Sequence, residues 1–341
     1  MNAGPGYARS AGALRRRNGF SLVELMIALV LGLVVILGAS TVFLSNKQSY
    51  RTNHALGQVQ ENSRIAFELM ARDIRQAGLT GCGNSGRVAN VLNNLGTDWW
   101  ANFGNAVRGY EGNQDDPAVT EGTASAQRIV GTDSLQLIGI ANSGLSVESH
   151  QATAASLKLN ESTTDLADGD IILVCDPDHA VITQVTNYNS SNVTLVHNTG
   201  TGSPGNCSKG LGFPTLCTTN GTAYEFGRNS QVAKLAAADW YIGNNPLRGR
   251  SLYRVAVINS SAVPTPTAQE MIRNVTDLQI TYHVSGASGF VTAAAVTTAG
   301  SWATVNAMRL VLTLQGTDLS TGTDAQPITR QLTAAVNLRN R

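Results

Sequence analysis

From Leu25 to Leu44 the chain reads LMIALVLGLVVILGASTVFL, without a charged residue. About 20 apolar positions suffice to cross a bilayer as a helix. One carboxylate, Glu24, stands at the start of this run. Beyond it the pattern changes without a break in helical spacing. Leu56, Val59, Ala66, Phe67, Met70, Ile74 and Ala77 recur three and four residues apart, the mark of an amphipathic helix. Gly78 follows as a C-terminal stop. The pattern predicts one helix from Phe20 to Ala77, apolar all round in its first half and one-sided in its second. The second half should pack on a domain, and the first should stand in a bilayer or a filament core.

Residues 79–127 carry Gly, Asn and Asp with scattered aromatics and read as a long loop with room for a short helix. Trp99 and Trp100 there are either an anchor for a partner or sugar or a plug for a small core. From Ser134 onward a period of two takes over. Strands are expected at Leu135–Ile140, Asp170–Cys175, Ala180–Thr186, Asn192–His197, Trp240–Ile242, Leu252–Ile258, Val275–Val284, Val305–Leu314 and Ile328–Leu338. Ala262–Thr267 and Gly286–Gly300 read as surface loops. The expected class is α+β: a long helix on a mostly antiparallel sheet domain.

Charge narrows the function. Of 341 residues only 14% are charged, and 24 Lys+Arg against 23 Asp+Glu leave a net +1. No basic footprint for nucleic acid exists, so none is expected as a partner. Arg15, Arg16 and Arg17 precede the apolar run and should hold that end in the cytoplasm, sending the remainder out. An exported domain with an even number of cysteines favours disulfides. Cys82, Cys175, Cys207 and Cys217 allow three pairings. The loop rich in Gly, Pro and Asn between Cys207 and Cys217 favours that pair, leaving Cys82 after the helix for Cys175 at a strand end.

Glu24 is the most telling residue. A charge at the centre of a lipid-exposed helix costs roughly 2.5–3.5 kcal/mol, so a lone carboxylate there marks a partner or a function. A secretory signal peptide would have a shorter apolar region and a small-residue cleavage site. An ordinary anchor accounts for the length but not for the order Gly19-Phe20-Ser21-Leu22-Val23-Glu24. That hexad and the run behind it resemble the class III signal of type IV prepilins. The resemblance implies that a membrane-bound prepilin peptidase cuts between Gly19 and Phe20 and N-methylates Phe20. It implies that residues 1–19 are a leader, 20–44 the transmembrane or filament-core half of the helix, 45–78 the amphipathic half and 79–341 a β-rich globular domain. Glu24 would then be the assembly carboxylate, paired with the free amine of a neighbouring subunit's Phe20.

Tyr241-Ile242-Gly243, Ser251-Leu252-Tyr253-Arg254, Ile272–Tyr282 and the ending Val336-Asn337-Leu338-Arg339-Asn340-Arg341 resemble the PilW family of minor pilins and its relatives, the J-type pseudopilins of type II secretion. The apolar run has no proline, unlike that of many major pilins, and the chain is about twice their usual length. The resemblance implies a pilin-like fold and a minor, initiating subunit at the pilus tip. Its partners would be other minor pilins, the major pilin, the prepilin peptidase and the inner-membrane assembly platform. The alternatives are a J-type pseudopilin and a tip adhesin.

No catalytic constellation is recognisable, and no enzymatic activity or cofactor is expected. Five histidines (His54, His150, His179, His197, His283) are scattered in sequence. Asp176, Asp178 and His179 form a D-P-D-H cluster that reads as a solvated turn in preference to a cation site, so no metal is expected. The Gly200–Gly212 stretch lacks the strand–Lys–helix context of a phosphate loop.

Overall fold

The computed structural model describes residues 19–83, 87–93, 97–316 and 326–339. The leader arginines and the terminal Asn340-Arg341 lie outside the described residues. One helix, α1 (Leu22–Gln76, 55 residues), opens the fold. Among the described residues it is the helix long and apolar enough to cross a membrane. Among the described residues fifteen strands follow: β1 (Val88–Asn90), β2 (Val107–Tyr110), β3 (Ser134–Gln151), β4 (Ser156–Leu159), β5 (Ile171–Cys175), β6 (Ala180–Gln184), β7 (Asn187–Asn189), β8 (Thr194–Val196), β9 (Gln231–Asn244), β10 (Arg250–Ser260), β11 (Val263–Arg273), β12 (Val275–Val284), β13 (Phe290–Val291), β14 (Val305–Gln315) and β15 (Thr329–Asn337). A short helix, α2 (Ala293–Thr298), precedes β14. The architecture is α+β and pilin-like: a long N-terminal helix, then a mostly antiparallel sheet domain.

The strands form two sheets. The larger has the path β1-β6-β5-β9-β3-β4-β8-β7, with β10 and then β11 added beyond β9, and β2 on β3. Its pairs are antiparallel except β1 with β6. β9 carries β5 on its first residues and β10 on its last, along the side opposite β3. The smaller sheet is β13-β12-β14-β15, antiparallel throughout.

The chain divides into two units, one ending at His54 and one beginning at Ala55. In the second, the helix buries Val59, Ala66, Met70, Ala71 and Ile74 in a core shared by both sheets. The smaller sheet supplies Leu278, Ile280, Met308, Leu310, Leu312 and Val336, and the larger supplies Leu135, Leu137, Trp240 and Ile242. One polar link adds direction: Trp240 Nε1 and Arg254 Nε both donate to Asp73 Oδ2, at 3.0 and 2.8 Å. Gly78 ends the helix at φ +75°, and its N–H donates to Ile138 O at 2.8 Å. Beside it, β3 passes so close that a Cβ on Gly139 would overlap the Gln76 carbonyl. The helix exit is thus locked to the sheet by backbone contact.

Burial of the helix starts at Ala55, beside the first residue of the expected stripe, and none of residues 45–54 is buried. Three expectations shift. Residues 79–127 are not one loop, since β1, β2 and two short 3₁₀ turns order them. The expected loop Ala262–Thr267 is, from Val263 onward, part of β11, whose Pro264 and Pro266 disguised it. Proline is tolerated there because β11 is an edge strand. Likewise the presumed loop Gly286–Gly300 contains β13 and α2.

Candidate functional site

The start of α1 follows directly from its sequence. Gly19 and Phe20 are exposed and non-helical. Ser21 caps the helix: its Oγ accepts the Glu24 N–H at 3.2 Å, while Glu24 Oε2 accepts the Ser21 N–H at 3.4 Å. This is a capping box, in which a Ser and a Glu three residues on satisfy each other's backbone amide. The first intrahelical bond, Leu25 N–H to Ser21 O, forms at 3.1 Å. The Gly19–Phe20 peptide therefore lies just outside the helix and is not held by its hydrogen-bond ladder. The Ser21-x-x-Glu24 spacing was readable in the sequence, and the reading of Glu24 as a lone membrane charge passed over it.

The return bond to Ser21 is long for a hydrogen bond, so the Glu24 carboxylate keeps most of its accepting capacity. What surrounds it is apolar. The large hydrophobic side chains from Phe20 to Leu44 are 55% to 82% exposed. At roughly 1.5–3 kcal/mol per side chain, leaving them in water would cost on the order of tens of kcal/mol. This surface requires lipid or protein around it. Thr41, the hydroxyl near its far end, returns its Oγ1–H to Gly38 O at 2.8 Å and so carries no unsatisfied donor.

In the globular unit the cysteines pair as Cys82–Cys175 and Cys207–Cys217. The first joins the segment after the helix to the end of β5, and the second closes the loop preceding β9. Trp100 is 3% exposed and packs with Ile138, Ile140, Ile171 and Leu173, while Trp99 is half-buried against the same cluster. The tryptophan pair is a core plug. In the D-P-D-H turn, Asp176 Oδ1 accepts the N–H groups of Asp178 and His179, and Oδ2 accepts the Tyr224 hydroxyl. Two of these bonds shape the turn and the third braces it against Tyr224.

Folding assembles two polar clusters from distant segments. His150 and His197 meet in the interior with their Nε2 atoms 3.3 Å apart. His150 Nδ1 accepts the Phe226 N–H at 3.0 Å, so its proton sits on Nε2 and is donated to His197. That tautomer leaves no free lone pair on His150 for a metal. Burial pushes both imidazoles down, His150 to about 4 and His197, which also faces His150, to about 3. The second cluster fixes the segment between β2 and β3. Arg128, fully buried, donates to the carbonyls of Glu111, Gln114 and Thr132 and pairs with Glu121 at 3.3 Å. Asp116 accepts from Ser134, Gln136 and the Ala118 N–H. Asp239, fully buried beside Asp116, receives no donor, and burial followed by that neighbour raises its pKa well above the usual range. Asp133 accepts the Ile280 and Gly112 N–H groups, yet burial still lifts it to about 6. No periodicity flagged these residues, since their contacts follow no helical or strand spacing: some lie within one loop, as Arg128 with Thr132, and others join distant segments, as His150 with His197 and Asp133 with Ile280.

Against known proteins, residues 14–40 match the family model described as the prokaryotic N-terminal methylation motif. No curated protein and no solved structure matches the chain. The motif is the class III signal of prepilin-like proteins, and it supports a type IV pilin-like or pseudopilin-type protein. It implies processing by prepilin peptidase and assembly with other pilins, and with the exposed apolar helix it fits inner-membrane anchoring before assembly into pili.

Proposed function

We propose that this chain is a minor pilin of the PilW type that primes type IV pilus assembly and sits in the tip complex, with no catalytic role of its own. The observation behind the proposal is the methylation motif at residues 14–40, joined to a bare apolar helix and followed by a large disulfide-bonded sheet domain. The peptidase would cut after Gly19 and methylate Phe20. Glu24 would pair with the amine of a neighbouring subunit's Phe20, because a carboxylate in an apolar bundle needs a cation. Between Leu22 and Leu44 there is no proline to let the helix open locally, which favours an initiating subunit over the repeating one.

Mass spectrometry of the native protein tests the processing: methyl-Phe20 is expected at the amino terminus, and Gly19→Val should leave uncleaved protein in the membrane. An intact leader on the wild-type protein would refute this reading. Deletion should sharply reduce pilus number while the protein stays scarce in sheared pili. Abundance equal to the major pilin would overturn the initiating role. Glu24→Ala should lower incorporation and leave the globular domain folded. A J-type pseudopilin shares the same motif, and a deletion that abolishes type II secretion while sparing pili would select that alternative.

A further inference from the structure

The two sheets differ in how their edges are finished. An edge strand presents unpaired N–H and C=O groups to any passing strand, and proteins usually blunt it with proline, a bulge or shortness. In the larger sheet β1, β2 and β7 are three or four residues long. Its long edge, β11, has Pro264 and Pro266 at alternate positions and a register shift against β10. In the smaller sheet β13 has two residues. β15 has none of these guards.

β15 pairs with β14 from Thr329 to Asn337 in unbroken register. Just beyond its two ends, Ile328 O accepts from Gly316 and Leu338 N–H donates to Asn306, at 2.7 and 2.9 Å. In an antiparallel ladder, bonding toward a given neighbour alternates along the strand. Even-numbered residues therefore face β14, and Thr329, Gln331, Thr333, Ala335 and Asn337 turn their backbone groups outward. Their side chains are uncharged and exposed. Of the outward groups, the Thr329 carbonyl is covered, by Arg330 of the same strand.

We propose that this rim docks on the same rim of a second copy, β15 against β15 in antiparallel register centred on Thr333. The strand is self-complementary in that register. Thr333 opposes Thr333, Gln331 opposes Ala335, and Thr329 opposes Asn337, so outward-facing residues meet outward-facing residues. On the other face Arg330 meets Val336 and Leu332 meets Ala334, so no like charges are opposed and the apolar stripe continues across the junction. The pair is closed by its two-fold axis and does not propagate. It hides the one long unguarded edge among the described residues, and it must open before a different subunit can use that edge.

The test uses the full chain in detergent micelles, with size read by analytical ultracentrifugation. A concentration-dependent dimer is expected, and Thr333→Cys should form a disulfide between the introduced thiols on mild oxidation. Thr333→Pro removes an outward N–H and no β14 bond, so it should be monomeric with near-native circular dichroism. Thr333→Lys, which sets two like charges face to face without touching the backbone, should weaken the dimer at low salt and recover at high salt, even if the proline variant misfolds. A monomer at every concentration would overturn the proposal. So would a dimer insensitive to both variants, which places the contact elsewhere, or thiol cross-linking in cells to a different subunit alone.

Discussion

The two halves of α1 share one backbone and opposite surroundings. From Leu22 to Leu44 every large apolar side chain is more than half exposed, whereas Val59, Ala66, Met70 and Ile74 are almost completely buried. The first half is the more hydrophobic and yet is exposed along its whole length. Composition alone therefore does not decide what a helix packs against: an apolar surface all round offers no preferred face, while a stripe fits a groove between sheets. One half awaits a solvent or partner, and the other already has its core.

The comparison can be attacked from both sides, the largest effect first. Reduction of Cys82–Cys175, which spans 93 residues and ties the segment after the helix to β5, should remove roughly 4–5 kcal/mol of loop entropy from the folded balance. The Cys207–Cys217 link spans 10 residues and is worth about 3 kcal/mol on the same scale. Single Cys→Ala pairs and urea denaturation measure both, and equal losses would contradict the entropic account.

Met70→Asp, at 0% exposure, should cost about 3–5 kcal/mol because the new carboxylate has no partner. Val34→Asp, on the bare half, should leave the melting of the globular domain unchanged while impairing membrane insertion. If both substitutions lowered the melting temperature equally, the division of the helix into two environments would be wrong.

Acid response comes next, and its sign follows from the buried clusters. His150 and His197 have folded pKa values below that of a free imidazole, so the unfolded chain binds more protons below about pH 6.5. Each then loses up to ~1.4 kcal/mol of stability per pH unit as pH falls towards the folded values of about 4 and about 3. Asp239 acts oppositely. Its raised pKa keeps the proton in the folded state, so it contributes less stability as pH rises from about 4, by ~1.4 kcal/mol per unit. Asp133, lifted to about 6, follows Asp239 between about pH 4 and 6. These trends offset one another, so the wild-type profile between pH 5 and 7 should be shallow. Asp239→Asn removes one of them, and the variant should gain on the wild type steadily with rising pH. Denaturation at pH 5, 6 and 7 checks the slope, and a pH-independent difference would show Asp239 to be ionised in the fold.

The smallest effect belongs to the helix start. Ser21→Ala removes a cap worth about 1 kcal/mol locally. Hydrogen exchange in micelles should show faster amides at Val23 and Glu24, with no change in the globular unit. Protection equal to the wild type would mean that the surroundings, and not the capping box, hold the first turn.

How far the sequence reaches depends on the range of the interaction. The helix, its two-part character, its stop at Gly78 and most strands were legible because each rests on residues within a few positions of one another. So was the Gly19–Glu24 hexad, a continuous motif. The strand β11 was hidden because its prolines are permitted only by an edge position, and edge position is a property of the whole sheet. The sequence allowed three cysteine pairings and favoured Cys207–Cys217 with Cys82–Cys175, and the chain path makes that pairing by bringing β5 to the helix exit. The same path decided that Trp100 fills a core, that His150 meets His197, and that Asp116 stands beside Asp239. Local spacing alone determined the apolar surface that the first half of α1 presents. Only tertiary structure decided which polar groups it buries, because burial and pairing are set by segments that meet in space without being neighbours in the chain.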